Sequence, residues 1–186
     1  MVSKEKLLTF ILEVAEKAGV KIGIGGGIAV NTWGYRRETA DVDAFFHEND
    51  RKKILETLHS LLPEDFMLEE LDRSHWMIVP EGNNPDERID LLFALGDPEE
   101  SAIEMTISRK YRGISVPVFP VDLLVVCKFL ADRDEPKDVL DIHTLLKRGA
   151  YRVEDIETRL LQMGLTGEAQ RFPELIEYLQ NIPRKK

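Results

Sequence analysis

A chain of 186 residues with 43% hydrophobic side chains is long enough to bury its own core, and its single cysteine gives no disulfide framework. The formal charge of −9 argues against a broad nucleic-acid-binding face, because phosphate binding rests on lysine and arginine, yet it leaves a local basic site open. No apolar run approaches the about 18 residues of a membrane span, and the start Met1–Lys6 lacks the apolar core of a signal peptide, so a cytoplasmic protein with no membrane partner is expected.

Leu7, Leu8, Ile11, Leu12, Val14 and Ala15 recur at helical spacing between charged residues, which predicts an amphipathic helix from Lys4 to Lys17 ending at Gly19. Val20–Ile24 alternates like a short strand, Gly25-Gly26-Gly27 forms a turn, and Ile28–Trp33 reads as a short helix stopped near Gly34. A second strand is expected over Thr39–Phe46 and a helix over Asp50–Leu62, ended by Pro63. Strands near His75–Val79 and Arg88–Leu95 form a hairpin around the turn residues Glu81–Asp86, and after Gly96-Asp97-Pro98 a short helix precedes a strand near Gly113–Phe119 that closes the sheet. From Pro120 onward every segment reads as helical, over Val121–Ala131, Pro136–Lys147, Val153–Met163 and Pro173–Gln180. The expected class is α+β, with a mixed-sheet core flanked by helices in residues 1–119 and a C-terminal helical appendage in residues 120–186.

Side chains alternate across a strand, so Asp41 and Asp43 project together while Val42 and Ala44 turn to the other face. Asp90 sits in the otherwise apolar strand Ile89-Asp90-Leu91-Leu92-Phe93, where a carboxylate is costly unless it is paired, solvated at an edge or bound to a cation. Three convergent carboxylates repel one another, and divalent magnesium, which favours oxygen ligands, resolves that repulsion. Taken alone, Asp41 and Asp43 read as solvent-facing residues of a half-exposed strand, since D-x-D is a common pattern. The preceding strand, glycine turn and helix supply backbone N–H groups suited to an anion.

Two rival readings of the glycines do not fit. A Walker A loop needs Gly-Lys-Ser/Thr, and Ile28-Ala29 follow Gly27; a dinucleotide fingerprint needs Gly or Ala at residue 28 or 30, where Ile28 and Val30 stand. A tight turn without a ligand stays open. His47, His59, His75 and His143 show no zinc spacing, Trp33 and Trp76 read as packing residues, and Cys127 as a small buried hydrophobe.

Gly26-Gly27-Ile28-Ala29-Val30 followed by Arg37-Glu38-Thr39-Ala40-Asp41-Val42-Asp43 resembles the pattern of the nucleotidyltransferase superfamily, whose fold is that of polymerase beta: a Gly-Gly turn, a helix, R-x-T and h-D-h-D. Asp90 resembles its third carboxylate. Pro120–Leu124, Lys128–Ala131, Arg133-Asp134-Glu135-Pro136-Lys137-Asp138 and Asp141 are similar to a branch holding abortive-infection and type IV toxin nucleotidyltransferases. The resemblance runs from about Gly23 to Leu146 and implies that Gly26 and Gly27 contact a nucleoside triphosphate, that Asp41, Asp43 and Asp90 are catalytic and bind two magnesium ions, and that Lys128 faces the phosphates. Arg37 and Thr39 either orient the loop before the metal strand or meet a phosphate; Arg36 and Arg37 are otherwise an exposed loop, Lys128 a lysine reaching solvent, and Lys137, Asp138 and Asp141 a helix-surface charge pattern.

The implied reaction moves a nucleotidyl group from a nucleoside triphosphate, ATP among them, to a hydroxyl on RNA, protein or a small molecule, with pyrophosphate leaving. A silent or partner-regulated member that binds nucleotide without turnover, and a metal-dependent phosphohydrolase, are the alternatives. A regulatory protein partner belongs to these expectations.

Overall fold

Ser3 caps the first helix, α1 (Lys4–Ala18), accepting from the Lys6 N–H, and Gly19 ends it in the left-handed region at φ 64°. The computed structural model describes residues 2–131 and 136–181, so Arg133, Asp134 and Glu135 of the family-like run lie outside the described residues. The chain continues through β1 (Gly23–Ile24), α2 (Gly26–Thr32), β2 (Val42–His47), a 3-10 turn, α3 (Arg51–Leu61), β3 (Phe66–Glu70), β4 (His75–Pro80) and β5 (Ile89–Ala94). Then come α4 (Glu99–Glu104), the hairpin β6 (Ile107–Tyr111) and β7 (Ile114–Val118), and four helices: α5 (Val121–Leu130), α6 (Pro136–Lys147), α7 (Val153–Gln162) and α8 (Thr166–Asn181).

One sheet runs in the order β3-β4-β5-β2-β1-β7-β6. The pairs β2–β5 and β1–β7 are parallel and the others antiparallel, so the sheet is mixed, as the α+β reading expects. In the central pair, Val42, Ala44 and Phe46 stand opposite Ile89, Leu91 and Phe93, and all six turn into the core. That face lies on the α1 and α3 side, where Arg51 of α3 rests over the Phe93 ring at 5.0 Å. The alternation leaves Asp43, Phe45 and Asp90 on the other face.

Three expectations need correction. Strands β3 and β6 were not anticipated: both are sheet edges carrying charged side chains, Glu69 and Glu70 in one and Arg109 and Lys110 in the other, so neither shows a clean apolar alternation. β7 therefore does not close the sheet but lies between β1 and β6. The last helix begins at Thr166 rather than Pro173, because buried Ala169 and Phe172 dock the preceding turns, with the Phe172 ring edge-on to Phe129 at 5.1 Å. The proline costs that helix one backbone donor.

Phe46 is fully buried and tilts against Phe93 with 6.1 Å between centroids. Phe46→Ala should lower the unfolding free energy in urea by about 3–5 kcal/mol, the usual penalty for an emptied aromatic site.

Candidate functional site

Parallel pairing puts Asp43 of β2 directly beside Asp90 of β5, while Asp41 stands just before β2, two residues from Asp43. The three carboxylates offer oxygens that all lie within 4.8 Å of one another. Each outer member is held from outside the trio. The Thr39 hydroxyl donates to Asp41 Oδ1 at 2.7 Å. Arg88 Nε donates to Asp90 Oδ1 at 2.9 Å and Oδ2 at 3.1 Å, and His75 Nε2 lies 2.9 Å from Asp90 Oδ1.

The glycine turn is shaped around these carboxylates. Gly26 begins α2 at φ 48°, and a Cβ there would lie 1.6 Å from Asp43 Oδ2; one on Gly27 would lie 2.4 Å from Thr39 Oγ1. Asn31, one turn later, ties the turn to the loop before β2: its side-chain amide donates to the carbonyls of Gly27 at 2.8 Å and Arg37 at 2.9 Å, and its oxygen accepts from the Arg37 N–H at 3.2 Å.

The far wall comes from α5 and α6. Asp141, fully buried, accepts from Arg37 Nε and Nη2 at 2.8 Å each and pairs with Lys128 Nζ at 2.9 Å. Asp138 also pairs with Lys128. Neither cation is a loose surface charge. The Asp141 bonds raise the Arg37 guanidinium pKa, and at Lys128 burial pulls the ammonium down while Asp141 and Asp138 outweigh it, a net rise. Asp141 is no part of a solvated helix face, and Lys128 stands in the cleft wall with its charge shared between two carboxylates.

These parts enclose a cleft of about 530 Å³ that brings together Gly26, Gly27, Arg37, Thr39, Asp41, Asp43 and Lys128, with Asp138 and Arg88 at its sides. Asp90 lies beneath, 4% exposed. None of Asn31, His75 and Arg88 is placed in the site by sequence alone: His75 enters there only through zinc spacing and the start of a strand, and Arg88 only as the start of another. Arg88 shares a strand face with Asp90 at a spacing of two, which is a legible signal; Asn31 lies four residues after Gly27, on the same helix side; His75 reaches Asp90 only through the β4–β5 register. Cys127 lines the same cleft with its thiol pushed well above the usual range by burial, as a packing cysteine.

Burial, then the negative charges of Asp41 and Asp90, push the Asp43 carboxyl up to about 7, only partly opposed by Lys128 and Lys137. The donors are all oxygens and the repulsion at their centre is only partly compensated, so the trio fits a divalent cation. A folded-state pKa above the usual 3.8 favours folding with the proton on, so the penalty is absent below about pH 4, grows as pH rises, and is complete above about 7. In metal-free buffer Asp43→Asn should therefore stabilise the protein at pH 8, by on the order of 2 kcal/mol once cleft solvent is allowed for, and the gain should vanish in melts at pH 4.

No curated protein matches the chain in sequence. Among solved structures, the solution structure of the antibiotic-resistance factor ANT(2'')-Ia is similar with a TM-score of 0.59 at 18% identity, over 94% of this chain and 95% of that one. The crystal structure of ANT(2'')-Ia with adenylyl-2''-tobramycin gives 0.55 at 18% identity over 93% and 98%, and the lincomycin-bound lincosamide antibiotic adenylyltransferase LnuA gives 0.53 at 17% over 76% and 95%. Identities this low carry the fold alone. The sequence model of the family described as nucleotidyl transferase AbiEii toxin, type IV TA system, matches residues 22–174, a span that holds the glycine turn, the three carboxylates and the Lys128–Asp141 wall. The polymerase-beta-like fold, the convergent acidic site and a match over most of the sequence agree, and the chain belongs to the AbiEii family of nucleotidyltransferases.

Proposed function

We propose that the protein transfers a nucleoside monophosphate from a nucleoside triphosphate to an acceptor hydroxyl and releases pyrophosphate. The observation that carries this reading is the convergence of Asp41, Asp43 and Asp90 beside a glycine turn that leaves no room for a side chain. Asp41, Asp43 and Asp90 would hold two magnesium ions, which when bound neutralise phosphate charge and lower the pKa of the acceptor hydroxyl.

The chain's own groups do the rest. Backbone N–H groups of Gly26 and Gly27 cradle the phosphates, and Lys128 supplies a cation in the same wall, shared with Asp138 and Asp141. Thr39 aims Asp41, while Arg88 and His75 hold Asp90, which in this reading would take the proton of the acceptor hydroxyl. Arg37 acts through Asp141, fixing the loop that leads into β2. The sheet within residues 1–119 thus carries the reacting groups, and α5 and α6 of the C-terminal helical region close the cleft.

For the acceptor, the surface favours RNA over a polycationic small molecule. A groove of about 810 Å³ shares Arg37, Glu38 and Thr39 with the cleft and is lined by Lys4, Arg36, Lys110 and Arg112. Burial and the neighbouring Arg112 pull the Lys4 ammonium below its usual range, against the opposite pull of Asp41, Glu38 and Glu5. A local cationic track suits a phosphate backbone and repels aminoglycosides.

Incubation with labelled triphosphates, magnesium and separate RNA, protein and aminoglycoside acceptors tests both parts. Label should reach RNA 3′ ends, and Asp41→Asn or Asp90→Asn should cut transfer by about 100-fold or more while the fold persists. Binding without transfer to any acceptor would favour the silent alternative, and release of inorganic phosphate without acceptor would favour a hydrolase. Lys110→Glu should weaken RNA labelling and lower the slope of log affinity against log salt by about 1, with triphosphate binding unchanged.

A further inference from the structure

One side chain joins the glycine turn to the loop that leads into the strand of Asp43. Asn31 stands half-buried in the last turn of α2, where asparagine is a poorer helix former than alanine or leucine. Its amide makes bonds that neither of those could. Nδ2 donates to the carbonyls of Gly27 and Arg37 at 2.8 and 2.9 Å, and Oδ1 accepts from the Arg37 N–H at 3.2 Å. A donor and an acceptor on one planar amide thus grip both backbone groups of Arg37, much as a paired strand would.

The Arg37 side chain is held as firmly as its backbone. Its guanidinium meets buried Asp141 of α6 through two bonds of 2.8 Å, and Asp141 pairs with Lys128 of α5. Two residues after Arg37, the Thr39 hydroxyl donates to Asp41, and it lies so near the turn that a Cβ on Gly27 would be 2.4 Å away. Loop and turn therefore lie directly against each other, and the bonds of Asn31 fix how they are aligned. Alignment matters here because the turn and Asp41 face the same cleft, and a displacement of about 1 Å between groups that hold one ligand can cost roughly 100-fold in rate.

We propose that Asn31 is a positioning residue for the triphosphate: its amide locks the loop before β2 to the glycine turn, so that the turn, Asp41 and the Lys128 wall keep one spacing. This rests on the nucleotide-binding reading above. Asn31 acts through Gly27 and Arg37, and through Arg37 and Asp141 its hold extends to α5 and α6. Leucine in its place has nearly the same shape and loses all three bonds. Aspartate keeps the acceptor for the Arg37 N–H, loses both donors and sets a carboxylate against two carbonyl oxygens.

Calorimetric titration of the full chain, in magnesium, with inorganic tripolyphosphate and with the α,β-methylene analogue of ATP reads this spacing without turnover. Asn31→Leu and Asn31→Asp should each weaken both ligands by a similar factor, about tenfold or more, because the loss falls on the phosphates. Leu58→Ala, which empties a buried site on α3, should lower the melting temperature at least as much and bind both ligands as the wild type does. In Asn31→Leu combined with Thr39→Val the two losses should not multiply, since both act on one loop. Wild-type affinity in both Asn31 variants, losses that multiply, or an equal loss in Leu58→Ala would overturn the positioning role and leave nucleotide binding standing. A loss confined to RNA labelling would also overturn it and make Asn31 a contact of the neighbouring groove, which it lines. If the wild-type protein binds neither ligand, the nucleotide-binding reading itself fails and this inference with it.

Discussion

Three carboxylates are held within 4.8 Å of one another by the backbone itself, because the parallel pairing of β2 with β5 sets Asp43 against Asp90 and strand alternation turns both to one face. Like charges at that separation oppose folding, and the opposing work is done on the reverse side of the same strands, where Val42, Ala44, Phe46, Ile89, Leu91 and Phe93 are buried together. One register therefore fixes the core and the site at once. A slip of one residue would drive the aspartates into the core and the phenylalanines into the cleft.

Around that repulsion the neighbouring groups are arranged by sign. Arg88 and His75 approach Asp90, Thr39 donates to Asp41, and Asp43, which has no such side-chain donor among the described residues, carries the raised pKa. This gradient leaves the unmet negative charge at the centre of the trio, facing the glycine turn. An all-oxygen donor set with charge left over is the environment in which a hard divalent cation binds.

Asp141 plays the complementary part on the opposite wall. A buried carboxylate shared by Arg37 and Lys128 joins the loop before β2, α5 and α6 in one polar cluster. Such a cluster is weak as a source of net stability, because desolvation offsets much of the attraction, but removing one partner strands the others. It fixes geometry. The net charge of −9 is likewise a poor guide to any single face, since Lys4, Arg36, Lys110 and Arg112 gather along one groove in an acidic protein.

Local periodicity made much of this legible. The spacing of Leu7, Leu8, Ile11, Val14 and Ala15 determined α1, and the alternation through Asp41, Val42, Asp43 and Ala44 determined that the two carboxylates share a face. The ordered glycine turn, R-x-T and D-x-D pointed to the family, since each element depends on residues a few positions apart. Edge strands β3 and β6 lacked that signal because exposed positions on both faces accept charged side chains. What only the tertiary structure decided are the pairings across distant segments: Arg37 with Asp141, 104 residues away, His75 with Asp90 across the β4–β5 register, and the Phe45 ring of β2 with that of Phe119. Register and helix docking bring these groups together, and both are set by how whole surfaces pack, which no local spacing records.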